Sequence, residues 1–327
     1  MPEIPLPALQ TARFQDPHTT ADGIRRASVR LESLDTLWFN TGTLCNIECV
    51  NCYIESSPRN DRLVYLTLDE VREYLDEIET RGLPTTEIGF TGGEPFMNPD
   101  IIAMLREVLG RGFRALVLTN AMQPLQRPGA QAALLALRDE FGAAADGTVT
   151  GLQGLTFRVS LDHHTQALHD TERGEGSWPV ALDGLRWLAQ HGFSLNVAGR
   201  TCWGESEADA RAGYARLFEA EGFPVRADDP GELVLFPEMD EEADVPEITV
   251  DCWDILGQSP SNVMCATSRM VVKRKGAARP TVLACTLLPY DEEFELGVSL
   301  ADAEDDVLLN HPHCSKFCVL GGGSCSA

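Results

Sequence analysis

Three cysteines close together in the chain are the residues whose types and spacing most directly suggest chemistry. Cys45, Cys49 and Cys52 lie in the run CNIECVNC, directly after an apolar, strand-like segment. Three thiolates on so short a loop can bind three corners of a four-iron, four-sulfur cube, which leaves one iron without a protein ligand. A closed zinc site would need a fourth Cys or His nearby, and none follows within this loop. The spacing therefore favours a [4Fe-4S] cluster with one iron open for chemistry.

A second group of cysteines lies near the C-terminus. Its members are Cys265, Cys285, Cys314, Cys318 and Cys325. The segment between the first two, MVVKRKGAARPTVLAC, is typical of two strands joined by a glycine-containing turn, a hairpin that places both thiolates at its base. Five cysteines exceed the four that one cube requires, and Cys252 is a candidate sixth ligand. These cysteines predict one further metal site and leave open whether there are two. Zinc is the alternative to iron at this site, because pairs of thiolates bind zinc well.

The composition limits the classes of partner and the compartment. The 327 residues include 50 acidic and 26 basic side chains, and a formal charge of −24 repels phosphate backbones and anionic lipid. No run approaches the roughly 18 apolar residues that a membrane helix needs. The N-terminal segment lacks a basic region followed by an apolar one. We expect a reduced, cytoplasmic protein without nucleic-acid or membrane partners, whose cysteines bind metal rather than form disulfides.

The order of the elements predicts the scaffold that positions these groups. Six short β-rich segments alternate with five amphipathic helical stretches. The predicted strands are Leu37 to Asn40, Glu87 to Thr91, Ala115 to Thr119, Thr156 to Leu161, Ser194 to Arg200 and Leu233 to Phe236. Such βα units imply a parallel sheet, and six fall short of the eight that close a barrel. We predict an α/β fold, a partial (β/α)6 TIM-like barrel with a small C-terminal cysteine-rich domain of a β-hairpin and a helix.

The predicted domain boundaries follow from this order. Residues 1–33 form an N-terminal extension, residues 34–240 the partial barrel, and residues 241–327 an acidic linker followed by the cysteine-rich domain. The segment over residues 227–254 is rich in acidic residues and is expected to be exposed to solvent. The alternative is that this segment binds a basic peptide.

Helix starts are predicted from capping residues. Thr67 and Glu70 form a capping box, Asn98 caps the next helix with Pro99 in its first position, and Ser206 opens a later one.

The strand ends carry further candidates, at the edge where parallel sheets bind ligands. The second strand ends in Thr91-Gly92-Gly93-Glu94-Pro95, where two glycines permit close backbone approach to a ligand and the carboxylate can accept from a cation. Candidates at later strand ends are Asn120, Ser160, Asp162, Arg173 and Arg200. His163 and His164 are expected to lie on a solvated loop rather than to bind a ligand.

With these motifs the chain resembles the radical S-adenosylmethionine (SAM) superfamily, whose signature is C-x3-C-x2-C on the loop after the first barrel strand. The resemblance implies that the cysteine loop binds the SAM-chelating cluster and that the Gly-Gly-Glu loop holds the amino group of SAM. By this resemblance, the amino group of SAM contacts Gly92, Gly93 and Glu94. The SAM carboxylate or ribose contacts Ser160 and Arg173, and Asn120 and Arg200 lie nearby. Asn51 stands where the family often has an aromatic residue near the adenine, and Tyr53 is a candidate substitute.

The C-terminal cysteines resemble the SPASM or twitch extension of radical SAM enzymes, in which a β-hairpin and a short helix enclose an auxiliary iron–sulfur cluster. Their spacing is not that of the seven-cysteine SPASM pattern and favours the smaller twitch type. The resemblance implies a probable auxiliary [4Fe-4S] cluster and an electron donor such as flavodoxin or ferredoxin.

The function implied by the resemblance is reductive cleavage of SAM to methionine and a 5′-deoxyadenosyl radical, which abstracts hydrogen from a substrate C–H. With an auxiliary cluster, net oxidation or crosslinking of a peptide is expected. Oxidation of a small molecule such as a sugar is one alternative, and a non-catalytic iron–sulfur electron carrier is another. A Rossmann-type methyltransferase would need a glycine-rich loop after the first strand, where this chain has its three cysteines.

Overall fold

The computed structural model describes residues 12–142, 151–238 and 244–321, and most of its strands form one open sheet. The strands are β1 (Ser28–Val29), β2 (Thr36–Asn40), β3 (Glu87–Thr91), β4 (Arg114–Thr119), β5 (Leu152–Ser160), β6 (Phe193–Arg200), β7 (Leu233–Phe236), β8 (Ser268–Val272), β9 (Thr281–Leu283), β10 (Glu295–Gly297) and β11 (Val307–Leu308). The α-helices are α1 (Leu68–Arg81), α2 (Ile101–Gly110), α3 (Gln123–Gln126), α4 (Pro128–Phe141), α5 (Gln166–Arg173), α6 (Ser177–Gln190), α7 (Glu207–Glu221) and α8 (Cys252–Leu256).

The large sheet has the order β10-β9-β8-β2-β3-β4-β5-β6-β7. Strands β2 to β7 are parallel to one another, as predicted, and each of the six predicted strands is present. The end strands β10 and β7 do not pair, so the described sheet is open rather than a closed barrel. The prediction of a partial (β/α)6 barrel is confirmed.

The two faces of the sheet carry different cores because successive side chains of a strand point to opposite faces. Phe39 packs among the helices, whereas its neighbour Trp38 lies in a second core with strands β8 and β9. Gly89 stands opposite Trp38 on β3, and a Cβ there would lie 2.2 Å from the indole ring. The absence of a side chain at Gly89 is what lets Trp38, the largest residue of β2, pack in this second core.

Capping residues explain where several helices begin. Thr67 Oγ1 accepts a hydrogen bond from the backbone N–H of Glu70, whose carboxylate accepts from the N–H of Thr67, so the predicted capping box of α1 is confirmed. Ser206 caps α7 as predicted. Helix α2 begins at Ile101 rather than at Pro99, so its predicted start was wrong. Asn98 Oδ1 does accept from the N–H of Asp100 at 2.8 Å, as a capping residue does. The Asn98 amide group also donates to two loop carbonyls, at 2.9 and 3.2 Å.

The predicted C-terminal hairpin is confirmed as the antiparallel pair β8 and β9. The sequence did not predict that β8 also pairs with β2, in parallel, and so extends the barrel sheet past its first strand. The N-terminal segment packs on the C-terminal part, since β1 pairs with β11 and buried Arg26 lies 2.6 Å from Glu247. The predicted domain boundaries stay a prediction. Within the described ranges, every helix is too short or too polar to traverse a lipid bilayer.

Candidate active site

A cleft of about 1130 Å³, counting the solvent at its mouth, lies at the carboxyl ends of the parallel strands. Most of the residues predicted for the site line it. They are Cys45, Cys49, Asn51, Cys52, Tyr53, Gly92, Gly93, Asn120, Ser160, Arg173 and Arg200. These positions span some 150 residues of sequence, and the order of the strands brings them together.

The loop after β2 carries the three cysteines into this cleft. Cys45 is buried, and Cys49 and Cys52 are half-buried. Burial raises the pKa of the Cys45 thiol to about 12 and also raises that of Cys49, against which the positive charge of Arg173 acts. Binding of iron would displace these protons, since the thiolate is the form that binds metal.

The set of ligand side chains in the cleft fits a cluster better than a single zinc ion. Cys45, Cys49 and Cys52 line the cleft, and its described lining includes neither a fourth cysteine nor a histidine. A closed zinc site takes four such ligands, whereas three thiolates can hold three corners of a four-iron, four-sulfur cube. The residues present therefore fit the cluster.

The two glycines after β3 are required by the loop that carries the cysteines. Gly93 donates to the carbonyl of Gly42 at 2.8 Å, and a Cβ on Gly93 would lie 2.1 Å from the Leu44 carbonyl oxygen. Gly92 has φ of +131°, and a Cβ there would lie 2.5 Å from the Gly42 oxygen. Both glycines also line the cleft. The Gly-Gly pair therefore fixes the position of the cysteine loop and forms part of the wall of the cleft.

Glu94 does not line the cleft. Its carboxylate accepts hydrogen bonds from the backbone N–H groups of Phe96 and Asn120 at 3.1 and 2.9 Å and from the Thr119 hydroxyl at 2.9 Å. Burial raises its pKa to about 6, and these donors oppose the rise. Glu94 ties the glycine loop to the end of β4, and its predicted contact with the SAM amino group stays a prediction.

Two ion pairs with largely buried side chains line the cleft. Arg173 donates to both carboxylate oxygens of Asp162, at 2.6 and 3.2 Å. Arg200 pairs through Nη1 with Glu172, while its buried Nη2 has no hydrogen-bond partner within the described part of the chain. A guanidinium N–H of this kind is suited to an anionic group of a bound ligand.

Glu172 is the residue of the site that sequence reasoning missed. Its carboxylate accepts from the backbone N–H and from the side-chain amide of Asn51, each at 3.0 Å, and its carbonyl accepts from Val50. It thereby connects α5 and Arg200 to the cysteine loop. The only signal in the sequence is its place directly before Arg173, in the run ERGEG.

The solvated loop expected for the histidine pair was wrong for His163, and the expectation that the pair binds no ligand stays a prediction. His163 is only 4% exposed, its Nε2 lies 2.7 Å from a Glu205 carboxylate oxygen, and Thr165 donates to its Nδ1 at 3.0 Å. The ring of His164 packs beside it at 4.0 Å. His163 is buried and His164 half-buried, and α7 covers the loop after β5 through Tyr214, whose ring centroid lies 5.6 Å from that of His164. The loop sequence does not reveal this contact.

The C-terminal cysteines gather around the second core. Cys265 lies on the turn before β8, Cys285 follows β9, and Cys314 and Cys318 lie on a π-helix over Cys314–Val319. All four belong to that core or pack against it, as Cys252 also does. Burial raises the pKa of Cys314, and the charges of Cys285 and Cys265 raise it further, so these three thiols lie near one another. Cys325 falls outside the described residues.

The same π-helix borders the cleft. Phe317, between its two cysteines, lines the cleft and stacks on Phe236 at the end of β7, with ring centroids 5.5 Å apart. Leu287, two residues after Cys285, is also in the wall. The two cysteine groups therefore lie on different sides of one cavity.

Comparisons with known proteins agree with this geometry. Antilisterial bacteriocin subtilosin biosynthesis protein AlbA of Bacillus subtilis (strain 168) is 29% identical over 293 residues, which cover 84% of this chain and 59% of that protein. The chain thus spans about three-fifths of this relative's length. The crystal structure of Streptococcus suis SuiB bound to precursor peptide SuiA has a TM-score of 0.58 at 11% identity, over 84% of this chain and 66% of that one.

SuiB bound to S-adenosylmethionine matches with a TM-score of 0.57 at 11% identity, over 84% of this chain and 64% of that one. At such identities the likeness concerns the fold. The model of the Radical SAM superfamily matches residues 39–209, more than half of the chain, and this segment includes the cysteine loop, the Gly-Gly-Glu loop and both buried ion pairs. The chain belongs to the radical SAM superfamily.

Proposed function

We propose that this protein is a radical SAM enzyme that cleaves SAM reductively and removes hydrogen from a C–H bond of a peptide, with net oxidation or crosslinking as the outcome. One observation carries the proposal. The cleft collects Cys45, Cys49 and Cys52 with the glycine loop, and no fourth cysteine of the described residues lines it. A cluster bound there would keep one iron for SAM.

Superfamily members use a [4Fe-4S] cluster and SAM, which together supply a one-electron cleavage that generates a hydrogen-abstracting radical. In this chain the three cysteines would hold the cluster, and the backbone of Gly92 and Gly93 would lie against the methionine part of SAM. Arg200, with its spare Nη2, would meet the SAM carboxylate. Asn51 and Tyr53 line the same part of the cleft and are the candidates for contact with the adenine.

The side chains opposite the cysteine loop are suited to holding substrate away from water. Leu118, Phe236, Pro237, Leu287 and Phe317 make an apolar wall. Radical chemistry needs such a wall because a radical exposed to solvent or to loose side chains reacts unproductively. The wall also holds the substrate C–H in one orientation, which determines the hydrogen that is removed.

An auxiliary [4Fe-4S] cluster is part of the proposal. Cys265, Cys285, Cys314 and Cys318 are the candidate ligands near the cleft, and Cys325 is a further one from sequence. A cluster beside the apolar wall would accept an electron from the substrate, as net oxidation requires. Zinc at this position is the alternative, and iron analysis separates the two.

A peptide substrate is supported by the relatives. The name of AlbA assigns it to biosynthesis of the bacteriocin subtilosin, and the SuiB structure holds a precursor peptide. Other relatives named as heme synthases and a nucleotide dehydratase keep small molecules as the alternative.

An electron donor such as flavodoxin or ferredoxin is expected at the cysteine loop. Val50, between the second and third cysteines, is 72% exposed, so this loop reaches the surface. No disulfide bond joins any two of the nine cysteines that the structure describes. Because cysteines stay reduced in a reducing compartment, the proposal includes a cytoplasmic location.

Anaerobic incubation of the reconstituted protein with SAM and dithionite tests the proposal. We expect 5′-deoxyadenosine from the wild-type chain and none from Cys45→Ala, Cys49→Ala or Cys52→Ala. Absence of this product from the wild-type chain would favour the electron carrier, and its retention in a cysteine variant would remove the site assignment. A peptide encoded beside the gene should lose the mass of two hydrogen atoms on incubation, whereas an unchanged peptide mass would favour a small-molecule substrate.

A further inference from the structure

Arg269 is a buried cation that has no carboxylate partner in the part of the chain that the structure describes. It lies on β8, four residues after Cys265, and is 1% exposed. Within the described ranges it forms no ion pair, whereas buried Arg26 and Arg200 each pair with a carboxylate. A buried charge without a counter-charge is unfavourable, and proteins rarely keep one without a compensating anion.

Main-chain carbonyls hold the guanidinium in a fixed orientation. Nη1 donates to the carbonyls of Cys265 and Ser268 at 2.6 and 2.8 Å, and Nε donates to Ala303 at 2.9 Å. Nη2 is buried and has no hydrogen-bond partner among the residues described. Three hydrogen bonds therefore fix the side chain, and the two N–H donors of Nη2 are left for a group that the described residues do not provide.

The ionisable groups that act on Arg269 are cysteines. Burial lowers its pKa, and the thiolates of Cys265 and Cys285 oppose this. An iron–sulfur cube ligated by cysteines carries net negative charge, and one-electron reduction adds to it. A fixed cation beside the cube stabilises the more negative, reduced form.

We propose that Arg269 is the charge partner of the auxiliary cluster, a positioning residue that fixes the Cys265 turn and raises the reduction potential of the cluster. The proposal rests on the auxiliary cluster of the proposed function. With Arg269 beside it, this cluster would be a better electron acceptor than the same cluster held by its cysteine ligands alone.

The test uses the full chain with Cys45, Cys49 and Cys52 all replaced by alanine, so that only the auxiliary cluster is present. This parent is reconstituted without oxygen and titrated with dithionite under redox mediators, with visible absorption and electron paramagnetic resonance as readouts. Two substitutions are compared in this background, R269Q, which removes the charge, and R269K, which keeps it. The matched control is R279Q, which removes the same charge from a 66% exposed side chain on the turn of the same hairpin.

We expect R269Q to lower the ratio of reduced to oxidised cluster at fixed potential by at least tenfold, which is about 59 mV for a one-electron couple. R269K and R279Q should change the ratio less than threefold. A decrease of less than tenfold in R269Q, or an equal change in R279Q, would overturn the proposal.

Loss of iron has its own interpretation. If R269Q loses the cluster while R269K keeps it at the potential of the parent, the charge is what the cluster requires, which supports the proposal. If both variants lose the cluster, or if both lower the Tm of the iron-free and the loaded protein equally, the role is only structural and the proposal fails. A parent that binds no redox-active iron would instead refute the auxiliary cluster itself, and so the two failures are distinguishable.

Discussion

Replacement of Gly93 by alanine tests whether the glycine loop positions the cluster loop. The added Cβ would lie 2.1 Å from the Leu44 carbonyl oxygen and 2.5 Å from its carbonyl carbon, both in the backbone. Because backbone atoms cannot rotate away as a side chain does, the two loops must separate by about 1 Å to reach ordinary contact.

The energetic cost follows from the structure. Overpacking of this kind costs about 1–3 kcal/mol. Separation also strains the hydrogen bonds from the N–H groups of Gly93 and Glu94 to the carbonyls of Gly42 and Leu44, each worth about 1 kcal/mol. Cys45 follows Leu44 directly, and a displacement of about 1 Å in a reacting group typically costs on the order of 100-fold in rate.

Two measurements check this prediction. Differential scanning calorimetry of the iron-free protein should show a Tm several degrees lower for Gly93→Ala, and the rate of 5′-deoxyadenosine formation should fall about 100-fold. Gly110→Ala is the matched control, because Gly110 ends α2 with no atom within 4 Å of an added Cβ. A Gly93→Ala variant with the Tm and rate of this control would refute the reasoning.

Three further predictions concern other parts of the site. Cys285→Ala should lower the iron content and leave some uncoupled cleavage of SAM, and unchanged iron would remove the auxiliary cluster. Glu172→Gln removes the counter-charge of buried Arg200, so we expect a loss of about 3 kcal/mol in the free energy of unfolding and a higher KM for SAM. The control is the same substitution at exposed Glu175. Equal unfolding free energies and KM values for the two variants would contradict a stabilising role of the ion pair. Burial raises the pKa of Glu94 to about 6, so the folded state binds the proton more tightly than the unfolded state. The contribution of Glu94 to the free energy of unfolding is therefore complete below pH about 4.5 and is lost as pH rises through about 6, a change on the order of 2 kcal/mol. Chemical denaturation at several pH values should show this change in the wild-type chain. The change should be absent in Glu94→Gln.

Much of the fold follows from local patterns in the sequence. Strand segments such as Glu87–Thr91 and Leu233–Phe236 match the predicted strands residue for residue, because an apolar β-rich run bounded by turn residues is a local signal. The capping box at Thr67 is equally local, since both of its hydrogen bonds lie within four residues. The capping bond that Asn98 Oδ1 accepts from Asp100 is local as well, whereas the two carbonyls that the Asn98 amide group binds lie 32 and 57 residues away in the chain and could not be predicted.

The sequence by itself determined the cluster loop, the glycine loop and the sheet edge at which they meet, because spacing and element order contain that information. Only the tertiary structure decided which charges are buried and which partners they have. Glu172 contacts Asn51 across 121 residues of chain, the Glu94 carboxylate is bound by Thr119 and Asn120 at the end of β4, and Arg269 lies in the core without a carboxylate among the described residues. The free energy of a charge depends on its burial and on the distance to its counter-charge, and neither quantity is encoded in neighbouring residues.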